Sequence, residues 1–283
     1  MVFASKILFQ ILFNNLNFLE NFKPITAGKL TARLAKSKSE IAAAQALRYQ
    51  VFYDEMNAVP SSRMKNCQRD FDKFDKICDH LLVLSNEEPN LPDRVVGTYR
   101  ILRGNIAKQG NGFYSSKEFD LNALMKIDGE IMELGRSCVD LNHRKLPTMQ
   151  LLWQAIAEYV NCFDIKVLFG CASIPGTKPE KMSLLLSYLH HNHLAPKLLR
   201  PKALPSRYVN MNSLPKAKII VAEALKDLPP LIKGYLRLGG YIGEGAVIDE
   251  QFNSVDVSVV VETKLITKRY LRHYERSAQW SDG

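Results

Sequence analysis

Residues 130–139 read EIMELGRSCV, a stretch with the apolar weight of a buried strand that nevertheless carries Glu133 and Arg136. In a regular strand side chains alternate faces, so two residues three apart point to opposite sides. Gly135 lies between them, and a glycine inside an apolar strand is a common place for a bulge, whose extra residue resets the alternation. A bulge there would turn both charges toward one cleft. The competing reading is an ordinary buried ion pair, since such pairs occur in cores.

Downstream, PTMQLLWQAIAEYV places apolar residues at helical spacing behind Pro147, and IKVLFGCAS is a short apolar strand. Strand, helix and strand within this length imply a parallel βαβ pair. Upstream, DHLLVLS and RVVGTYRIL read as two strands of a hairpin joined by NEEPNLPD, with Arg100 on the second. Before them, SKSEIAAAQALRYQVFYDEM reads as a helix opened by Ser37 and Glu40 at capping-box spacing, with Arg48 and Phe52 on one face. GNIAKQGNGFYSS reads as a long loop. Past the βαβ unit, TKPEKMSLLLSYLHH reads as a helix boxed by Thr177 and Glu180, followed by a basic, proline-punctuated excursion. LPPLIKGYLRLGG reads as a helix stopped by Gly239 and Gly240, and VDVSVVVE as a final strand.

The 283 residues, 46% of them hydrophobic, suffice for a substantial core. A formal net charge of +9 favours anionic partners: nucleic acid, anionic lipid or an acidic carrier protein. Dispersed Lys and Arg, without a zinc-finger or RRM signature, argue against nucleic acid. The five cysteines, Cys67, Cys78, Cys138, Cys162 and Cys171, share no regular spacing, which disfavours a disulfide framework and fits a reducing cytosol. His190, His191 and His193 lack the helical spacing and partner carboxylate of a zinc site, so no metal is expected. Residues 1–28 are apolar but broken by Lys6, Gln10, Asn14 and Asn15, too short a run to span a bilayer. They read either as an amphipathic helix on a membrane surface or as a disordered extension, leaving 29–283 as the domain.

The order of helix, hairpin, charged strand, crossover helix and strand is similar to the acyltransferase fold of the GNAT superfamily. The expected class is therefore α/β, a mixed central sheet flanked by helices, with a C-terminal extension. Arg48 and Phe52 in RYQVF, Asp72 and Asp75 in DFDKFD, Arg100 in VVGTYR, and Glu133 with Arg136 in ELGR resemble the signature of acyl-homoserine-lactone synthases, which take acyl chains from acyl carrier protein. Longer blocks from about residue 29 onward resemble the L-ornithine Nα-acyltransferases of bacterial ornithine-lipid synthesis, also labelled hemolysin-like. Among them are LRYQVFYDEM, DFDKFDKICDHLLV, ELGRSCVD, FGCASIPGT, SYLHHNHLAP and LPPLIKGYLRLGGYIGEGAVIDEQFNSVDV. The resemblance implies transfer of a 3-hydroxyacyl group from acyl carrier protein to ornithine, giving lyso-ornithine lipid. It implies a cytoplasmic enzyme with peripheral contact to an anionic inner membrane as a further expectation.

Acetyl-CoA users of the superfamily carry a basic-x-x-Gly-x-Gly/Ala turn whose amides hold the CoA pyrophosphate. The corresponding RKLPTM has Pro147 and Met149 instead, and proline has no amide to donate. An acyl-carrier donor needs no such cradle, so acyl-phosphopantetheine is expected as co-substrate and no other cofactor. Arg144, Lys145, Lys197, Arg200 and Lys202 are the candidates for docking the acidic carrier. Aminolysis of a thioester needs a neutral amine, and Glu133 is the candidate general base, with a main-chain N–H at the bulge meeting the oxyanion. Arg48, Arg100 and Arg136 are candidates for the substrate carboxylate, Asp72 and Asp75 for an ammonium, and Phe52 for the pocket. Cys138 reads as an inert buried thiol. Asp249 and Phe252 either line the acyl channel or shape a turn. The alternatives are an acyl-homoserine-lactone synthase acting on S-adenosylmethionine and a non-enzymatic membrane-binding protein.

Overall fold

The computed structural model describes residues 22–110, 112–144 and 146–265. Its strands are β1 (Ile25–Ala27), β2 (Leu30–Leu34), β3 (Asp79–Ser85), β4 (Val95–Arg103), β5 (Phe119–Asp120), β6 (Glu130–Val139), β7 (Ile165–Pro175), β8 (Lys202–Ala203), β9 (Tyr241–Asp249) and β10 (Ser254–Glu262). They lie side by side in the order β1-β2-β3-β4-β6-β7-β10-β9-β8-β5. Neighbours are antiparallel except β6–β7 and β8–β9. The longer helices are α1 (Lys38–Tyr49), α2 (Leu146–Cys162), α3 (Ser183–His193) and α4 (Pro230–Arg237). The α/β class and mixed sheet expected from the sequence are what the chain forms.

Strand alternation sorts the core into two faces. Leu81 and Val83 join Tyr99, Met132, Leu134 and Leu168 beneath α2, α3 and α4. Leu82 and Leu84 point the other way, onto Ala43, Ala44 and Leu47 of α1. Further along that second face, Leu102, Ile131, Phe169 and Val260 pack against Phe113, Phe119 and Leu124 of the segment between β4 and β6. The central strands β3, β4 and β10 are buried on both sides because both faces are covered.

Two departures from regular pairing shape the centre. Arg100 lies opposite Gly135 and Thr98 opposite Cys138, so Arg136 and Ser137 together face the single residue Tyr99. This is a bulge, and its left-handed residue is Arg136 at φ 51°, not the glycine beside it. On its other edge β6 pairs with β7 only from Glu130 to Glu133, ending at Glu133 opposite Phe169. Beyond that point β6 follows β4 and β7 follows β10, and the two strands part. At the apex a Cβ on Gly170 would stand 2.1 Å from the Leu134 carbonyl oxygen, so no other residue fits there.

Several expectations change. The sheet begins at Ile25 and Phe22 packs edge-on against Tyr159, so the domain reaches back into the apolar segment assigned to 1–28; residues 1–21 lie outside the described residues. The hairpin turns at Gly28, whose φ of +56° suits glycine. Helix α1 is capped by Ser37 as expected, but past Tyr49 it widens into a π-helical turn, Gln50–Glu55. Arg48 is taken up by Asp70 and Asp75, while Phe52 packs against Phe252. Thr177 and Glu180 form no cap for α3, which follows a 3₁₀ turn at Pro179–Met182. YIGEGAVID, not expected as a strand, is β9, and β10 sits well inside the sheet between β7 and β9.

Candidate active site

Where β6 and β7 part, a cavity of about 360 Å³ passes between them. Its two ends differ. On the face of α4 it is lined by Tyr99, Leu134, Leu168, Ala172, Leu231 and Tyr235, which are apolar apart from the tyrosine hydroxyls. On the face of α1 it is lined by Arg100, Glu133, Arg136, Cys171, Asp249 and Asp256, set among the rings of Phe52, Phe74, Tyr114, Phe169 and Phe252. The main chain of Leu134–Ser137 and Gly170–Ser173 forms the walls between the two ends, and Gly135 has open space where a side chain would stand.

Glu133 is buried yet borders the cavity. The amides of Tyr114 (2.7 Å) and Ser115 (2.8 Å) and the Ser115 hydroxyl (2.5 Å) all donate to its carboxylate. Burial raises its pKa above the usual carboxylate value, and the Ser115 and Tyr114 donors oppose the rise. Glu133 and Arg136 share the cavity without pairing with each other. Arg136 Nε instead donates to Asp70 (3.0 Å) and Nη2 to Asp72 (3.3 Å). Its guanidinium lies between the rings of Tyr114 and Phe252, 4.7 and 4.8 Å from their centroids.

Behind the cavity three guanidiniums meet three carboxylates. Arg48 is fully buried, with Nε to Asp70 (2.7 Å), Nη1 to Asp75 (2.8 Å) and Nη2 to the Asp70 carbonyl (2.6 Å). Asp72 caps the Phe74 amide, Asp75 accepts from the Asp72 amide, and Arg100 Nη1 donates to Asp72 at 2.7 Å. Burial disfavours the charge on Asp75, but Arg48 and Arg100 outweigh it and bring its pKa down to about 2. Asp70 is likewise lowered: burial opposes the charge, and Arg136 and Arg48 outweigh it. Of the six, Arg100 and Arg136 reach the cavity, whereas Arg48, Asp72 and Asp75 brace its wall and are not part of the lining. The placement of these three differs from a substrate-facing one because their hydrogen-bonding groups are spent on one another and on the turn at Lys73–Lys76. Phe52 does line the cavity, packed edge-on against Phe252.

Asp249 and Phe252 do both things expected of them as alternatives: Asp249 accepts from the Gln251 and Phe252 amides, shaping the turn, and both residues border the cavity. Cys138 is buried and its thiol pKa is pushed up by burial. Among the docking candidates, Arg144 donates to the Val139 carbonyl and pairs with Glu55. Arg200 and Lys202 share Glu244, at 3.5 and 2.9 Å. Lys197 is exposed, and Lys145 lies outside the described residues. Pro147 is the second residue of α2.

Sequence reasoning missed Asp70, Tyr114, Ser115, Glu118 and Asp256. Asp70 stands two residues before Asp72 in the same run and was open to the same reasoning; the others carry no local signal. Glu118, Cys171 and Asp256 bring metal-capable atoms within 4.8 Å of one another. The His190–His193 run engages Leu214 and Tyr188 instead. Among the described residues no helix is long and apolar enough to cross a membrane.

Residues 47–154 match the acetyltransferase (GNAT) domain family. The chain is 45% identical over 260 residues to the L-ornithine N(alpha)-acyltransferase of Agrobacterium fabrum, covering 90% of this chain and 88% of that protein. It is 45% identical over 255 residues to the enzyme of the same name from Brucella abortus, covering 89% and 90%. Among solved structures it is similar to the AHL synthase LasI, at 14% identity and TM-score 0.46, over 83% of this chain and 90% of that one. The chain is an N-acyltransferase of the GNAT superfamily and belongs to the L-ornithine Nα-acyltransferase family.

Proposed function

We propose that this enzyme transfers a 3-hydroxyacyl group from acyl carrier protein to the α-amine of ornithine, forming lyso-ornithine lipid, the first step of ornithine-lipid synthesis. The observation that carries this reading is the cavity through the sheet, apolar at the α4 end and charged at the α1 end. A fatty chain suits the first and a zwitterionic amino acid the second, with the reacting carbonyl at the apex between them. The names of the relatives supply the amino acid.

The α-amine arrives mostly as ammonium, with a reference pKa of about 8. Glu133, its pKa raised by burial, takes that proton directly or through one water. The freed nitrogen adds to the thioester carbonyl carbon, and a main-chain N–H beside Gly135 receives the oxyanion. Collapse breaks the C–S bond, Glu133 gives its proton to the departing sulfur, and the second proton of the nitrogen passes to the freed carboxylate and on to solvent. Arg100 and Arg136 hold the ornithine carboxylate, and Arg48, Asp72 and Asp75 hold those two arginines in place. The carrier docks on basic residues that include Arg144, Lys145, Lys197, Arg200 and Lys202. The reaction is placed in the cytoplasm, with the lipid product passing to the adjacent membrane.

The test is purified protein with one 3-hydroxyacyl carrier donor and either ornithine or S-adenosylmethionine, read by mass spectrometry. N-acylornithine is expected; acyl-homoserine lactone, or no product, overturns the reading. Glu133→Gln should lower kcat by about 10²- to 10⁴-fold while the protein stays folded. Acyl-CoA should replace the carrier donor poorly, and added salt should raise the KM for the carrier. Equal use of acyl-CoA contradicts the carrier assignment.

A further inference from the structure

Around the split, side chains on the α1 face fall in one row. Glu133 is paired with Phe169, and residues two and four further along β7 are Cys171 and Ser173, which share its face. Ser173 is the partner of Asp256 on β10. Asp256 therefore projects into the same end of the cavity as Glu133, with Cys171 between them. Glu118 is brought up by the segment after β4, and Cys171 donates to it at 3.2 Å. Asp249 lines the same wall.

Charge in this row is not balanced. Glu118 has Arg207 at 3.3 Å. Asp249 and Asp256 form no ion pair among the described residues. Asp256 is buried, and its polar partners are the hydroxyls of Ser254, at 2.7 Å, and Ser173. Burial, with Glu118 and Asp249 adding to it, pushes its pKa up to about 7. A buried carboxylate is ordinarily paired or neutral, and this one, held only by two hydroxyls, borders an occupiable space. What would complete it is a cation delivered through the cavity.

We infer that Asp256, assisted by Asp249 and Glu118, receives the side-chain ammonium of the amino-acid substrate and so selects a diamino acid over neutral ones. The inference rests on the ornithine reading above and adds to it the residue that reads the side chain. Ornithine presents its α-amine to Glu133 and, three methylenes away, a second ammonium. The row from Glu133 past Cys171 to Asp256 offers one carboxylate for each. Arg100 and Arg136, on the β4–β6 side, remain for the α-carboxylate.

The experiment compares ornithine with norvaline, which has the same carbon chain and lacks the terminal ammonium, using one acyl donor and the full-length wild-type and Asp256→Asn proteins. Wild type should prefer ornithine, and Asp256→Asn should lower kcat/KM for ornithine by roughly 10- to 100-fold, mainly through KM, with norvaline unchanged. Equal losses for both amines, or a preference that survives the substitution, overturn the assignment. So does a wild type that uses both amines equally, a result that needs no variant. A wild type that acylates neither removes the substrate reading itself and this assignment with it.

Discussion

Two charged regions lie within one sheet and treat their charges in opposite ways. Behind the cavity, Arg48, Arg100 and Arg136 face Asp70, Asp72 and Asp75, and the sum is neutral. On the cavity wall, Asp249 and Asp256 have no ion-pair partner among the described residues, and Glu118 beside them is taken up by Arg207. The first set satisfies itself and fixes geometry; it holds Arg100 and Arg136 at the cavity edge as a rigid support holds a tool. The second leaves Asp249 and Asp256 without an ion-pair partner among the described residues, at the charged end of the cavity. A folded chain keeps such an imbalance buried only at some loss of stability, which is why it points to binding rather than to architecture.

The largest effect should come from unbalancing the neutral set. Arg48→Met leaves Asp70 and Asp75 buried without their main partner, and denaturant unfolding at neutral pH should show a loss of roughly 3–5 kcal/mol. A loss under about 1 kcal/mol, the usual figure for an exposed pair, would mean that the set does not hold the site.

Acid should reveal a smaller contribution of the same set. The Asp75 pKa is lowered from 3.8 to about 2 in the folded protein, so its contribution is present above 3.8 and is lost as pH falls toward 2. It amounts to ~2 kcal/mol. The deficit of Arg48→Met should therefore shrink toward low pH, and a deficit independent of pH would separate Arg48 from the two acids.

A third effect has the opposite sign. The Asp256 pKa is raised from 3.8 to about 7, so its protonated form favours the fold below 3.8 and that advantage is lost as pH rises through about 7. Asp256→Asn should thus raise Tm by at least about 2–4 °C at alkaline pH, with the gain fading toward pH 4. A lowered Tm would place Asp256 among the supporting residues and erase the contrast between the two regions.

Pattern made β3, β4, β6, β7, β10 and α1 to α4 legible, the strands as apolar runs and the helices by apolar spacing. β9 was hidden by its glycines, which break the pattern of a strand. Tertiary contacts explain two of them: a Cβ on Gly243 would stand 2.8 Å from the Pro201 carbonyl, and one on Gly245, at φ +80°, 2.4 Å from the Tyr208 ring. Neither neighbour is close in sequence. The bulge in ELGR was readable from the spacing of its charges, but its strained position falls on Arg136, which is held there by Asp70 and two aromatic rings. Arg48 was picked out by its motif and then misplaced, since the carboxylates that take up its guanidinium, Asp70 and Asp75, lie far off in sequence. Ser115 and Asp256 were invisible for a different reason. One sits in a loop with no period and the other in a strand whose neighbours are all apolar or hydroxyl-bearing, and only folding brings either to the cavity.

A structure of the enzyme with N-acylornithine bound tests the central claim most directly, that the split between β6 and β7 divides the two halves of the product. The acyl chain should run under α4 against Leu231 and Tyr235, with the amide at Gly135 and the ornithine ammonium beside Asp256. An acyl chain lying along α1 instead, or an ornithine headgroup outside the row from Glu133 to Asp256, would contradict it.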